Sequence, residues 1–248
     1  CVISGVEQAE LLLRKCGLAV SRTAANGQKL QAGQPCLEAR GAAAALHRGW
    51  KLGQTLMEYM SGIATRSAHM VTQARTVNPG VRVAVTRKNF PGAKAVSLEA
   101  AMDGGAIVHR QNLSDSILIF EQHRAFLPGT PQASLRSVAA MMEKLHTRGP
   151  EHKISAEVDS LEQAMLVAEA GIDIVQCEKF ACELLAETVG ALRSVRDDII
   201  ILAAGGINGD NAAQFAATGV DVLVTSWPYF GKPADIKVTM EKSPNNPE

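Results

Sequence analysis

From residue 81 onward, short β-branched runs alternate with amphipathic helical stretches. The alternation predicts strands over 81–86, 106–110, 117–120, 153–158, 172–177, 199–204 and 220–225. Near-continuous apolar runs such as Ile199-Ile200-Ile201-Leu202 suit parallel strands buried on both faces. Between them, Leu161, Ala164, Met165 and Ala168 fall at i, i+3, i+4 and i+7, one apolar stripe of a helix. Ser160 with Gln163 reads as a capping box at its start, and Gly171 as its stop. Leu184, Leu185, Thr188, Val189 and Leu192 repeat the stripe, as do Leu135, Val138, Met142 and Leu145. Repeated strand–helix units make a parallel sheet, and this many in this length favour a barrel over an open doubly wound sheet.

Before residue 81 the pattern changes. Residues 47–77 carry helical spacing through Trp50, Leu56, Met57, Met60, Ile63, Ala64, Met70 and Ala74. Gly62 interrupts that run, at about 1 kcal/mol against alanine, so a break or a close packing is expected there. Residues 18–46 read as short extended pieces of a small β-rich domain, with turns at Asn26-Gly27 and Gly33. The polar, proline-containing tail 242–248 is expected to fray.

Composition adds constraints. Aromatic residues are only 4%, so small aliphatic side chains must fill the core. Lysine plus arginine and aspartate plus glutamate balance at 25 each, which removes any bulk basic field for nucleic acid or a membrane surface. No apolar run is long enough to insert in a bilayer, and no signal-peptide pattern is present, so a cytoplasmic location is expected. The chain begins at Cys1 rather than methionine, and a preceding segment is expected to be missing. Cys1, Cys16, Cys36, Cys177 and Cys182 show no C-x-x-C spacing and read as reduced.

In a parallel barrel the chemistry gathers where strands run out into loops. The predicted exits carry Arg87-Lys88, His109-Arg110, Glu121-Gln122-His123-Arg124, Glu157 with Asp159, Glu178-Lys179, Gly205-Gly206 and Thr225-Ser226. Each taken alone fits an ordinary polar loop. Together, Arg87, Lys88, His109 and Arg110 form a cationic set that repels itself unless a multiply charged anion binds. Glu157 lies inside a β run, where a carboxylate needs a partner or a cation. Glu157 and Glu178 close adjacent strands, where they either share Mg²⁺ through water or pair with nearby lysines and arginines. Gly205-Gly206 fits a phosphate-approaching loop before a helix, or a plain turn with Asn208 as N-cap.

These motifs carry a resemblance. Ser61-Gly62-Ile63-Ala64-Thr65, Thr86-Arg87-Lys88, Gly104-Gly105, His109-Arg110, Glu157-Val158, Gly205-Gly206 and Asp235-Ile236 stand in an order and spacing similar to quinolinate phosphoribosyltransferases (nicotinate-nucleotide pyrophosphorylases). Thr86 to Gly92, Phe120 to Arg124 and Lys232 to Val238 resemble the ModD-type pyrophosphorylases, a group named for an association with molybdenum transport. The resemblance covers almost the whole chain. It implies an α/β fold, an open (β/α) barrel over 77–231. A small N-terminal α/β sandwich-like domain is implied over 1–76, completed by 232–248.

The resemblance also implies transfer of phosphoribose from phosphoribosyl pyrophosphate, with Mg²⁺, to an aromatic nitrogen acceptor, as in NAD biosynthesis. Arg75, Arg87, Lys88, His109 and Arg110 would bind the aromatic acid and phosphates, with Arg75 reaching across a homodimer into the partner's site. Glu157 and Glu178 would sit near the ribose and Mg²⁺, with Lys88 beside them in the catalytic set. Ala204, Gly205 and Thr225 would contact the 5-phosphate.

This chain departs from the family pattern at several points. Phe120 replaces a lysine, which removes a charge for a dicarboxylate and offers a face for a flat ring. Glu121-Gln122 replace Asp-Asn, Glu178 replaces an aspartate, Ala204 a serine and Thr225 a glycine. An acceptor that is quinolinate-like without being quinolinate is therefore expected. The alternatives are a non-catalytic oxyanion or nucleotide binder tied to molybdenum transport, or a lyase or isomerase with a Schiff-base Lys88 or Lys153.

Overall fold

The computed structural model describes residues 1–112, 115–126, 135–138, 142, 147 and 152–242. Leu145 and the tail beyond residue 242 lie outside the described residues. The N-terminal unit is small. Helix α1 (Val6–Lys15) is followed by the antiparallel pair β1 (Ala19–Arg22) and β2 (Leu37–Arg40). Its core is Ile3, Val6, Ala9, Ala24, Leu30 and Met57. The short extended pieces expected over 18–46 are, among the described residues, a two-stranded antiparallel sheet beside one helix. Four-residue strands leave too little sheet for a second layer, so α1 and the next helix supply it.

That next helix, α2 (Ala43–Val77), runs unbroken for 35 residues. Gly62 does not break it. A Cβ at Gly62 would lie 2.8 Å from the Lys232 carbonyl oxygen. The glycine is there because the C-terminal segment crosses α2 at that point. Gly104 plays the same part on the other side, since a Cβ there would meet the Ala64 carbonyl oxygen at 2.3 Å. The rest of the Ser61–Thr65 motif binds the chain's start. Ser4 N donates to Ser61 Oγ at 3.0 Å, and Val2 N donates to Thr65 Oγ1 at 2.9 Å. Farther along, Ala234 N donates to the Glu58 carbonyl at 2.8 Å, and Ile236 packs onto the N-terminal core.

Seven parallel strands form the barrel sheet, in the order β4-β3-β9-β8-β7-β6-β5. They are β3 (Arg82–Val85), β4 (Ile107–Val108), β5 (Ile117–Ile119), β6 (Ile154–Val158), β7 (Ile174–Glu178), β8 (Ile200–Ala204) and β9 (Val222–Thr225). Helices α3 (Lys94–Asp103), α4 (Glu121–Arg124), α5 (Leu161–Glu169), α6 (Cys182–Val195) and α7 (Ala212–Ala216) alternate with them. Residues 135–138 are also helical, and Leu135, Val138 and Met142 are buried as their spacing predicts. Ser160 caps α5 by accepting from Gln163 N, and Gly171 ends it at φ +88°.

Alternate residues divide between two cores. Val83, Val85, Ile154, Ala156, Val175, Ile201 and Leu223 face the helices. Ala84, Leu202, Ala204 and Val224 face the barrel interior. β4 and β5 follow one another in sequence yet stand at opposite ends of the sheet, so the ladder is open between them.

Candidate active site

Register places the polar residues of the mouth. Glu157 pairs with Gln176, and Glu178 pairs with Ala204. Ala204 belongs to the interior core, so Gln176 and Glu178, two and zero positions from that register, share its face. The curl of the sheet then gathers groups from distant strands. Lys88 follows β3, four places from β6 in the sheet, yet its charge bears on Glu157. Arg110 follows one edge strand and Phe120 the other, yet the guanidinium lies 5.8 Å from the Phe120 ring centroid. Side chains therefore close the mouth where backbone hydrogen bonds do not.

The mouth has two electrostatic groups, linked through Lys88. On the cationic side, burial first, then Arg110 and Arg87, push His109 down to about 4. It stands neutral near pH 7 and keeps its ring as a hydrogen-bonding group rather than a charge. Arg110 is itself lowered by burial and by Arg87. Lys88 N accepts a place in a tight turn by donating to Thr86 Oγ1 at 3.1 Å, and Tyr229 Oη donates to the Thr86 carbonyl at 3.0 Å. On the acidic side, burial and the charge of Glu178 raise Glu157, while Gln176, Lys88 and Arg124 oppose that rise. Arg124, in α4, is buried.

The loop after β8 is tight. Gly205 and Gly206 adopt φ of +93° and +75°. A Cβ at Gly205 would lie 2.6 Å from Lys179 Cγ and 3.0 Å from Glu178 Oε1. Lys179 is itself left-handed at φ 59°, and its N–H donates to the Ala204 carbonyl at 2.8 Å. The exits of β7 and β8 are thereby locked together. Asn208 caps the turn that leads into α7. Its Oδ1 accepts from Asp210 N and Asn211 N, its carbonyl accepts from Ala212 N, and its own N–H donates to Asn211 Oδ1 at 2.8 Å.

Two sequence expectations, for Thr225 and Lys153, are placed differently. Thr225 is buried and its hydroxyl is committed, donating to the Ile207 carbonyl at 2.7 Å and accepting from Trp227 N at 3.0 Å. It shapes the loops and has no free donor for a phosphate. Arg75 is exposed on the last turn of α2, which leads into the start of β3. It lies toward the end of the sheet opposite the mouth of its own barrel. Lys153 also precedes its strand, at that opposite end, and pairs with Asp173 at 3.2 Å. A Schiff-base role for it is excluded by position. Cys177 is buried with its thiol pushed up to about 12, which leaves it unreactive. Sequence reasoning missed Gln176, although a lone amide within Ile174-Val175-Gln176-Cys177 was visible as a polar residue in an apolar strand.

A curled parallel sheet with cations at the exits of β3 and β4, two mutually repelling carboxylates at those of β6 and β7 and a glycine loop after β8 defines an α/β-barrel protein with a charged mouth. The model of the quinolinate phosphoribosyl transferase C-terminal domain matches residues 63–239, and that of the N-terminal domain matches residues 1–61. The chain belongs to the quinolinate phosphoribosyl transferase family.

Relatives agree. A Pasteurella multocida protein named "Putative pyrophosphorylase ModD" is 34% identical over 241 residues, 97% of this chain and 84% of that protein. The nicotinate-nucleotide pyrophosphorylase [carboxylating] of Mycobacterium leprae is 34% identical over 229 residues, 90% of this chain and 76% of that protein. The solved structure of the nicotinate-nucleotide pyrophosphorylase from Francisella tularensis superposes with a TM-score of 0.83 at 21% identity. It covers 94% of this chain and 79% of that one, a likeness of fold. Among the described residues, no helix is long and apolar enough to cross a membrane.

Proposed function

We propose that this chain is a glycosyltransferase that moves phosphoribose from phosphoribosyl pyrophosphate to an aromatic nitrogen acceptor, releasing pyrophosphate. The observation that carries the reading is the crowding of Arg87, His109 and Arg110 at the exits of β3 and β4, with the charge of Lys88 reaching the Glu157 and Glu178 pair of β6 and β7. Bond breaking at the ribose C1 builds positive charge on the sugar and negative charge on the departing pyrophosphate. Carboxylates on one side and cations on the other stabilise that separation, and the protein contributes position and field rather than covalent chemistry. Arg87 and Arg110 offer planar forks for phosphate or carboxylate, and Lys88 a point charge between the halves.

The donor set fits Mg²⁺. Among the described residues, no three His, Cys, Asp or Glu side chains gather as a full ligand set. Glu157 and Glu178 are close enough to repel, which a hard cation relieves. Glu157 and Glu178 would hold Mg²⁺ with water and ligand oxygens, and the ion would supply charge to the leaving pyrophosphate. Gly205 and the Ala204 backbone would receive the 5-phosphate, without help from the Thr225 hydroxyl.

Phe120, with Arg110 beside it, offers the acceptor an aromatic face and one guanidinium, which supports a flat, anionic, quinolinate-like ring. A homodimer accommodates Arg75, which can serve a mouth only from another subunit. Calorimetry with phosphoribosyl pyrophosphate and Mg²⁺, followed by pyrophosphate release across a panel of aromatic acids, tests the reading. Binding lost in Arg110→Ala, with release for one acceptor, is expected. No binding, or binding unchanged in Arg110→Ala, refutes it. Tight oxyanion binding with no release for any acceptor favours a non-catalytic binder.

A further inference from the structure

Gln176 is 4% exposed in the barrel interior, on the register that sets it between Glu157 of β6 and Leu202 of β8. Its Nε2 donates to Glu157 Oε2 at 2.9 Å. A carboxylate only accepts, so the amide nitrogen faces Glu157 and the amide oxygen faces away. Among the described residues, nothing donates to that oxygen. A buried acceptor without a donor lowers stability, and an apolar side chain of the same length would fill the space without that penalty. Gln176 is thus a poor core residue with one well-formed polar contact, and that contact reaches a carboxylate of the mouth.

We infer that Gln176 is a positioning residue that holds the Glu157 carboxylate so that its other oxygen faces the ligand. The assignment of that ligand rests on the phosphoribosyl-transfer reading, while the hydrogen bond stands without it. A neutral donor suits this task. It orients Glu157 without cancelling the negative charge that a developing positive ribose requires, as a lysine in its place would. Glu178 shares the same face and Lys88 approaches from across the mouth, so without the amide those charges alone would set where Glu157 points.

Gln176→Met keeps the length and shape of the side chain and removes the donor. Crystal structures of the wild type and of Gln176→Met read the Glu157 carboxylate directly. It is expected to leave its position in the variant, with the melting temperature unchanged or raised. Pyrophosphate release should slow by roughly tenfold to a hundredfold in kcat, the loss of one hydrogen bond to a charged group, with little change in KM. In a Glu157→Ala background the same substitution should change kcat no further, as for two residues acting as one unit. An unmoved carboxylate overturns the inference. So does a lowered melting temperature with equal slowing in both backgrounds, the mark of a packing role. If the wild type releases no pyrophosphate, the phosphoribosyl reading fails, and the position of Glu157 still decides the role of Gln176.

Discussion

His109 couples anion binding to pH. Its imidazole is pushed down to about 4, chiefly by burial and then by Arg110 and Arg87. An anion that pairs with both guanidinium groups removes their opposition to a third positive charge, so binding should draw a proton onto His109. Sulfate is the suitable probe, because it stays a dianion above pH 4. If binding returned the imidazole fully to its ordinary 6.5, sulfate would bind about tenfold more tightly at pH 5.5 than at pH 7.5. Burial is the largest single cause and sulfate does not reverse it, so a smaller tightening, of about 1.5-fold to fourfold, is expected. Calorimetry at both pH values, in two buffers of different ionisation enthalpy, gives the affinity and the proton uptake together. His109→Gln should bind sulfate with a flatter pH profile. A flat profile in the wild type, or an equal slope in His109→Gln, would refute the coupling. The stability effect has a definite sign. The folded pKa is depressed, so the unfolded chain binds the extra proton. The contribution of neutral His109 is complete above 6.5 and is lost as pH falls from there through about 4.

Two other perturbations test separate parts of the structure. Gly104→Ala places a Cβ 2.3 Å from the Ala64 carbonyl oxygen and 2.6 Å from Ser67 Cβ, so α3 must back away from α2. A loss of about 3 kcal/mol and a fall of roughly 6–12 °C in melting temperature are expected by scanning calorimetry, and a negligible fall would show slack at that crossing. Phe120→Lys places an ammonium group at the exit of β5, where it should raise affinity for quinolinate roughly tenfold in a competition titration. Unchanged affinity would remove Phe120 as the residue that discriminates between acceptors.

The fold was legible because periodicity reports burial. Apolar runs on β6 to β9 and stripes on α5 and α6 stand where the pattern puts them, and Gly171 ends α5 as its position suggests. The N-terminal unit was less legible, since two strands of four residues carry too few alternations to fix their bounds or their pairing. At the mouth, charged exits announced themselves by residue type. What those types could not reveal was commitment. Thr225 looks like a free hydroxyl in the sequence, and only its contacts with Ile207 and Trp227 show it occupied. Lys153 has the right chemistry at the wrong end of the sheet, a matter of topology that composition does not record. Gln176 went unnoticed because a single amide in a strand signals nothing until its partner across the ladder is known.

The Ser61–Thr65 segment changes what it means to find such a motif. It touches no ligand-facing group described above, and its small side chains exist because the chain's first residues, Gly104 and the 232–234 segment converge on one turn of α2. A survey of variants scored by growth or turnover would mark this turn as intolerant as the mouth, and a reader of such a map would mistake crowding for chemistry. The same stretch found in another chain therefore certifies an architecture. Whether that chain shares the reaction depends on the basic exits of β3 and β4 and the carboxylates of β6 and β7, which can be lost or rewritten while the turn stays intact.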